Sequence, residues 1–333
     1  MKDRHKMILS VLGSIIIIAI VIFVSMSDLR SESIEQNRTS KKKVLFLAKS
    51  TDSQFWKSVK AGANAAASEY NLDMYFAGPD NEEDFEKQNE IIHKAIENEM
   101  DAIVFSAVDY NANASAIDRA ARRGLKIVAV DSEVNSDRVE CYIGTDNYEA
   151  GCIAGKNALS LKEEHIKIGI VNFDSKTENG QTREKGFRDT VIKDDRVEII
   201  DSINVNSSVK DAKDGTLKMM DTYPDINLIV TFNEWTSLGV GEAVEQLRLG
   251  EKTQVIAFDS NVRSVGMLER GVVDALIVQN PYAMGYLGME MAGRILNGQE
   301  PEQKIISTSG TLITRENMYE KESQRVLFPF DEK

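Results

Sequence analysis

The chain has 333 residues, 53 acidic against 40 basic side chains, and a net charge of −13. At roughly 100–200 residues per domain this length predicts about two domains, and 42% apolar with 28% charged residues excludes both disorder and a multi-spanning membrane protein. The acidity speaks against nucleic acid, whose phosphates need clustered Lys and Arg, while two cysteines and three histidines exclude a disulfide scaffold and leave little for a zinc site. Cys141 and Cys152 form no CxxC pair, and a bridge between them stays open.

Lys2, Arg4 and Lys6 precede an apolar run over residues 7–26, interrupted only by Ser10, Gly13, Ser14 and Ser25. As a helix such a run spans ~30 Å, the thickness of a bilayer core. Its basic flank places the N-terminus in the cytoplasm and the remainder outside. A cleaved signal peptide is the competing reading, since Ser25-Met26-Ser27 passes as a small-x-small site, but the run exceeds the usual ~7–15-residue apolar region. Residues 1–26 therefore read as a transmembrane anchor and residues 27–43, polar and charged, as a linker.

From Val44 onward short β-rich runs alternate with helical patterns, the signature of βαβ units and parallel sheets. Strands are predicted at 44–48, 72–77, 102–106, 126–130, 142–144, 167–172, 197–200, 228–232, 254–258 and 275–278. Between them, Phe55, Val59, Gly62, Ala63, Ala66 and Tyr70 mark one helical face, and Phe85, Gln88, Ile91, Ile92, Ala95 and Ile96 another. A last apolar helix is predicted over about 282–296, stopped by Gly298.

One layout occurs twice. Ile103-Val104-Phe105-Ser106 is followed by Asp131 at the end of a later run, and Ile229-Val230-Thr231-Phe232 by Asp259 in the same place. Two copies imply two similar α/β lobes, and in open α/β sheets ligands bind beyond the carboxyl ends of the strands. There stand Lys49, Asp52, Ser53, Phe55 and Trp56 after the first strand, then Asp131, Arg183 opening a helix after the sixth strand, Asn233, Asp259, Gln279 and Asn280. Planar Asp, Asn, Gln and Arg groups engage neighbouring hydroxyls through two atoms, and aromatic faces suit C–H surfaces. That mixture fits a sugar, whereas a phosphate ester lacks its glycine-rich cradle. Each residue also has a plainer role: Asp131 and Asp259 as caps, Phe55 and Trp56 as core, Arg183 as a solvated helix charge, Asn233 as an Asx cap, and Gln279 as an edge polar group.

Over residues 44–314 the chain resembles the type I periplasmic binding proteins of the ribose- and galactose-binding group, which share their fold with the ligand domains of LacI-type repressors. The resemblance rests on Phe55-Trp56-Lys57-Ser58-Val59-Lys60-Ala61-Gly62, Val130-Asp131, and Ile143-Gly144-Thr145-Asp146-Asn147 with Gly151. It continues in Arg183-Glu184-Lys185-Gly186-Phe187, Phe232-Asn233-Glu234, Ala257-Phe258-Asp259 and Ile277-Val278-Gln279. It implies two Rossmann-like α/β lobes, residues 44–145 with 280–308 and residues 146–279 with 309–333. A three-strand hinge would join them, with crossings near Thr145, Asn280 and Ser309. It further implies that Phe55 and Trp56 sandwich a sugar ring while Asp131, Arg183, Asn233, Asp259 and Gln279 bind its hydroxyls, with no cofactor and no metal. Ser132 departs from the pattern where ribose binders often carry Arg, Asn206 where an aromatic often stands, and Lys49 where a small polar residue is usual. Xylose, ribose or a hexose are thus all compatible.

Two other classes fit less well. A glycosidase could use Asp131 and Asp259 as its carboxylate pair, but hydroxyl binding explains them equally, and Gly239-Val240-Gly241 lacks the third glycine of a dinucleotide fingerprint. A repressor would need a basic helix-turn-helix where the apolar run stands. Within the binding class the resemblance offers two membrane partners. An ABC permease would receive the sugar, and a sensor histidine kinase would be told of it, as in similar clostridial systems with a membrane-anchored xylose binder. The anchor favours sensing.

Overall fold

The computed structural model describes residues 41–328. The apolar run at 7–26, read as an anchor, lies outside the described residues, as does nearly all of the linker. Among the described residues no helix is long and apolar enough to cross a membrane.

The first lobe is built from β1 (Lys42–Leu47), α1 (Gln54–Glu69), β2 (Leu72–Ala77), α2 (Phe85–Glu97), β3 (Ala102–Phe105), α3 (Ala114–Arg122), β4 (Lys126–Val130) and β5 (Cys141–Thr145). The second follows as α4 (Asn147–Leu159), β6 (Ile166–Phe173), α5 (Glu178–Val191), β7 (Val197–Val205), α6 (Val209–Thr222), β8 (Leu228–Thr231), α7 (Glu234–Leu247), β9 (Gln254–Phe258), α8 (Val262–Arg270) and β10 (Ala275–Val278). The chain then returns with α9 (Pro281–Leu296) and β11 (Ile305–Thr308), and ends in β12 (Thr311–Thr314) and α10 (Lys321–Leu327). The sheets run β2-β1-β3-β4-β5-β11 and β7-β6-β8-β9-β10-β12. Both are dominated by parallel pairs, with β12 antiparallel to β10. The chain therefore passes between lobes three times: after β5, after β10, and between β11 and β12.

Parallel strands covered on both faces need apolar residues at every position, and the central strands Ala102–Phe105, Leu228–Thr231 and Ala275–Val278 are buried throughout. Alternation divides them between two cores. Val44, Phe46, Val104, Val128 and Val130 face α1 and α9, while Leu45, Leu47, Ile103, Phe105 and Ile127 pack with Ile92 and Ile117 of α2 and α3. In the second sheet Ile168, Ile170, Val230, Ile256 and Phe258 pack with Phe187 of α5, and Val171, Ile229, Val255 and Ala257 pack on the opposite face.

Glycines bring one helix pair into close contact in each lobe. A Cβ at Gly285 of α9 would stand 1.9 Å from the Val59 carbonyl oxygen of α1, and one at Gly62 would stand 2.0 Å from that of Tyr282. The second lobe repeats this at Gly151 and Gly186, against Arg183 and Tyr148 carbonyls at 2.0 and 2.1 Å.

Three elements differ from the sequence expectation. β7 extends to Val205 rather than stopping at 200, because its outer half alternates half-buried and exposed side chains as an edge strand does. β11 and β12 were not predicted at all. Each is four residues long, and each takes its place only by pairing with a strand far off in sequence, β5 or β10. Arg183 does not open α5 but lies in its second turn, one turn past Glu178.

Gly285→Ala should lower stability by about 2–3 kcal/mol, since the obstructing atom is backbone and the helices must separate. Urea denaturation measures this; an unchanged midpoint would show that α1 and α9 are not in that contact.

Candidate functional site

In each sheet the strand order turns back between the first and third strands of the lobe, at β1/β3 and at β6/β8. Such a switch point leaves a crevice beyond the strand ends. Phe55, Trp56, Asp131, Arg183, Asn233, Asp259 and Gln279 all line one cavity there, together with Lys49, Ser53, Glu82, Phe173, Asn179, Glu234 and Trp235. Asp52 is exposed and outside this lining, and Asn280 caps α9 by accepting from the Ala283 N–H at 3.0 Å.

The two acids occupy equivalent places. Asp131 follows β4 and Asp259 follows β9, both with left-handed backbone at φ 61° and 65°. Each N–H donates to the next strand at 3.0 Å, to Ile143 and Ile277 respectively. Left-handed φ is costly for most residues but tolerated by Asp, so the turn that ends both strands also points a carboxylate out of the sheet. Asp131 accepts from Ser106 Oγ at 3.1 Å and pairs with Lys49 Nζ at 3.3 Å. Asp259 accepts from Gln279 Nε2 at 2.6 Å. Burial pushes the Asp259 carboxyl up to about 7, against the opposing pull of the Arg183 charge and the Gln279 hydrogen bond.

Arg183 is 1% exposed, and every nitrogen has an acceptor: Nε to Asn147 Oδ1 at 2.9 Å, Nη1 to the Phe232 carbonyl at 2.7 Å, and Nη2 to Gln279 Oε1 at 2.7 Å. Its guanidinium lies over Phe258, 5.2 Å from the ring centre. A solvated helix charge would look quite different. Gln279 Oε1 also accepts from Thr145 Oγ1 at 2.8 Å, which ties two of the three interlobe crossings together. Asn233 is an Asx cap with a second bond toward the cavity. Its Oδ1 caps α7 by accepting from the Thr236 N–H at 2.9 Å, while Nδ2 donates to Ser207 Oγ at 2.6 Å.

The expected sandwich between Phe55 and Trp56 is not geometrically available. The rings meet edge to face, 5.1 Å between centres at 86°, because both sit in the first turn of α1 on one side of the cavity. Trp56 is 1% exposed and fixed by donation from Nε1 to Glu82 Oε1 at 2.8 Å. The aromatic surface of the second lobe comes from Phe173 and Trp235, not from position 206, where Asn206 binds Asp211 at 2.8 Å on the outside. Aromatic side chains therefore flank the cavity from both lobes.

Direct hydrogen bonds hold the lobes together around it. Glu234, at the start of α7, accepts from the N–H groups of Gln54 and Phe55 at 3.3 and 3.0 Å, so one lobe caps a helix of the other. Burial pushes its carboxyl up. Ser207 donates to Glu82 Oε2 at 2.8 Å through Oγ and to Glu83 through its N–H. Asn179 donates to Asp131, and Tyr110 N–H to the Lys176 carbonyl at 3.2 Å. The cavity is small, about 30 Å³, room for no more than a few waters at about 10–15 Å³ of such space each. A larger cavity of about 540 Å³ adjoins it and shares Phe55, Asp259 and Gln279, and its other walls come from the segments around Val262, Pro281 and Val326. The convergence of polar groups marks the smaller one as the site.

Sequence reasoning missed Glu82, Asn179, Glu234, Phe173 and Trp235. Glu234 carried a signal, since it follows Asn233 directly at a strand end. Glu82 lies in the loop after β2, outside any strand or helix pattern, and meets Trp56 of its own lobe and Ser207 of the other. The two cysteines are free: Cys141 Sγ lies against the Gln303 carbonyl at 3.4 Å and Cys152 Sγ against that of Gly186 at 3.5 Å.

Comparison with known proteins places this architecture. The D-ribose/D-allose-binding protein of Pseudomonas aeruginosa is 23% identical over 314 residues, covering 91% of this chain and 97% of the relative. A carbohydrate transporter solute binding protein from Agrobacterium radiobacter, solved with D-arabinose, has a TM-score of 0.83 at 25% identity, covering 87% of this chain and 99% of that one. An ABC transporter solute binding protein from Agrobacterium vitis with bound D-fucose has a TM-score of 0.83 at 26% identity, covering 86% and 100%. The family model described as periplasmic binding protein domain matches residues 44–300, and the chain belongs to that family.

Proposed function

We propose that the chain is an extracytoplasmic binding protein that captures a monosaccharide, a pentose such as xylose or ribose or a hexose, between its lobes. One observation carries this reading: planar hydrogen-bonding groups and aromatic faces from both lobes converge on one cavity. The sugars in the names and complexes of its relatives support it. Asp131, Arg183, Asn233, Asp259 and Gln279 would meet hydroxyls, and Phe55 and Trp56 would offer an aromatic corner to the C–H face.

Entry requires the lobes to part, because the wall residues as they stand are almost wholly buried and the space between them is far smaller than a sugar. The three crossings are the natural hinge, since they alone carry the main chain between the lobes. A ligand touching both walls stabilises the closed arrangement by contacts it cannot make when the lobes are apart. The binding event thus becomes a change of shape that another protein can read. With the run at 7–26 as an anchor, the reader is a membrane partner, and a sensor histidine kinase fits a tethered binder. Delivery to an ABC permease is the second reading, favoured by the transport names among the relatives. Deleting the gene separates them. Sensing predicts that sugar-induced transcription is lost while uptake persists, whereas delivery predicts that uptake itself is lost.

Calorimetric titration of the full chain in mild detergent with xylose, ribose, glucose and galactose should give a saturable heat for at least one. Phe55→Ala should weaken that binding about thirtyfold, roughly 2 kcal/mol; an unchanged Kd would remove Phe55 from the site. The pH dependence follows from Asp259. A hydroxyl donating to its carboxylate binds the ionised form, and with the lobes together the buried carboxyl holds its proton below about pH 7. Affinity should therefore fall as pH drops through about 7, by up to about tenfold per pH unit. Titrations between pH 5 and 8 read this slope directly, and a flat profile would mean that the ligand does not engage the Asp259 carboxylate.

A further inference from the structure

The larger cavity beside the sugar site is built from the same two lobes. α1 lines it from the first lobe through Phe55, and the start of α8 lines it from the second through Val262. The crossing after β10 adds Pro281 and Tyr282, and the C-terminal end adds Val326 and Phe328. Its volume of about 540 Å³ falls within the range of about 300–1,000 Å³ usual for small-molecule sites. Val262 is 80% exposed, and Pro281, Tyr282, Val326 and Phe328 are half-buried. Apolar groups gathered in a concave wall and left facing water are stabilised by an apolar group that covers them.

The partition between the two cavities consists of side chains, since Phe55, Asp259 and Gln279 line both. Phe55 belongs to the first lobe, whereas Asp259 and Gln279 follow β9 and β10 of the second. Parting the lobes therefore also divides the partition. A sugar held by Asp259 and Gln279 would lie against it, with the larger cavity next to any group attached to that sugar. The wall chemistry points to the kind of group. Another sugar ring would need free planar groups, but Asn261 engages both ends of its amide within the protein. Its Oδ1 accepts from the Arg263 and Ser264 N–H groups at 2.8 and 2.9 Å, and its Nδ2 donates to Glu234 at 3.0 Å. Asn280 holds its oxygen on the Ala283 N–H. The remaining wall is chiefly apolar and aromatic.

We propose that the larger cavity is a second subsite, which takes an apolar aryl or alkyl group carried on the anomeric carbon of the bound sugar, a role that rests on the monosaccharide reading above. A glycoside then binds more tightly than the free sugar. The plainer alternative is a solvent-filled groove beside an interlobe crossing. The full chain, in a detergent without a sugar head group, is titrated with xylose, ribose, glucose and galactose and with both anomers of their methyl and phenyl glycosides. Val262→Asp is titrated in parallel, with thermal melts as the check on folding. It places a charge in the apolar wall, while an acid in the first turn of α8 suits the helix dipole. For one anomer of the sugar that binds, phenyl should be preferred over methyl by about tenfold or more. Val262→Asp should remove most of that preference and leave the affinity for free sugar unchanged. If phenyl glycosides of both anomers bind no tighter than methyl ones, the cavity is no subsite and the proposal is overturned. It is equally overturned if Val262→Asp leaves the preference intact, or weakens free sugar and glycoside by one common factor. If wild type binds neither sugar nor glycoside, the monosaccharide reading itself fails and takes the subsite with it.

Discussion

Buried carboxylates govern this molecule, because a charge removed from water must find donors and here several of those donors lie across a lobe boundary. Glu234 of the second lobe accepts from the first N–H groups of α1 in the first, and Asp131 of the first accepts from Asn179 of the second. Glu82 joins Trp56 of its own lobe to Ser207 of the other. Bringing the lobes together therefore satisfies groups that would otherwise need water, and parting them exposes those groups to water that can replace the lost bonds. Such an exchange is close to balanced, and a close balance lets a small ligand tip it. Binding and closure then become one event.

For that event to be a rigid-body movement, each lobe must hold its own shape. The paired glycine contacts of α1 with α9 and of α4 with α5 bring helix backbones together next to the site. The first fixes the helix that carries Phe55 and Trp56, the second the helix that carries Arg183. The duplicated left-handed turns at Asp131 and Asp259 extend the same logic to the sheets, where a strained but shared backbone conformation sets the direction of each acid.

Most of the fold was legible in the sequence because buried parallel strands must be apolar at every position. The runs at 126–130, 254–258 and 275–278 coincide with strands to the residue, and so does 72–77, although β2 is a half-buried edge strand. Edge strands lack that constraint, so β7 was read too short and β11 and β12 were passed over. The seven predicted site residues converge because strand ends are fixed by the same pattern. What the sequence could not show was the orientation of the rings of Phe55 and Trp56, or the reach of Glu82, Asn179 and Glu234. Those depend on how two lobes meet, and no local periodicity encodes it. Lys49 was visible as an oddity, but its pairing with Asp131 needed three dimensions.

In the function proposed, sugar binding and lobe closure are coupled. Small-angle X-ray scattering on the full chain in detergent, matched for contrast, reads it most directly when recorded with and without the sugar that calorimetry identifies. A smaller radius of gyration at saturating sugar is the predicted result. Identical scattering curves at full occupancy would contradict it, leaving a protein that holds its ligand without reporting it through shape.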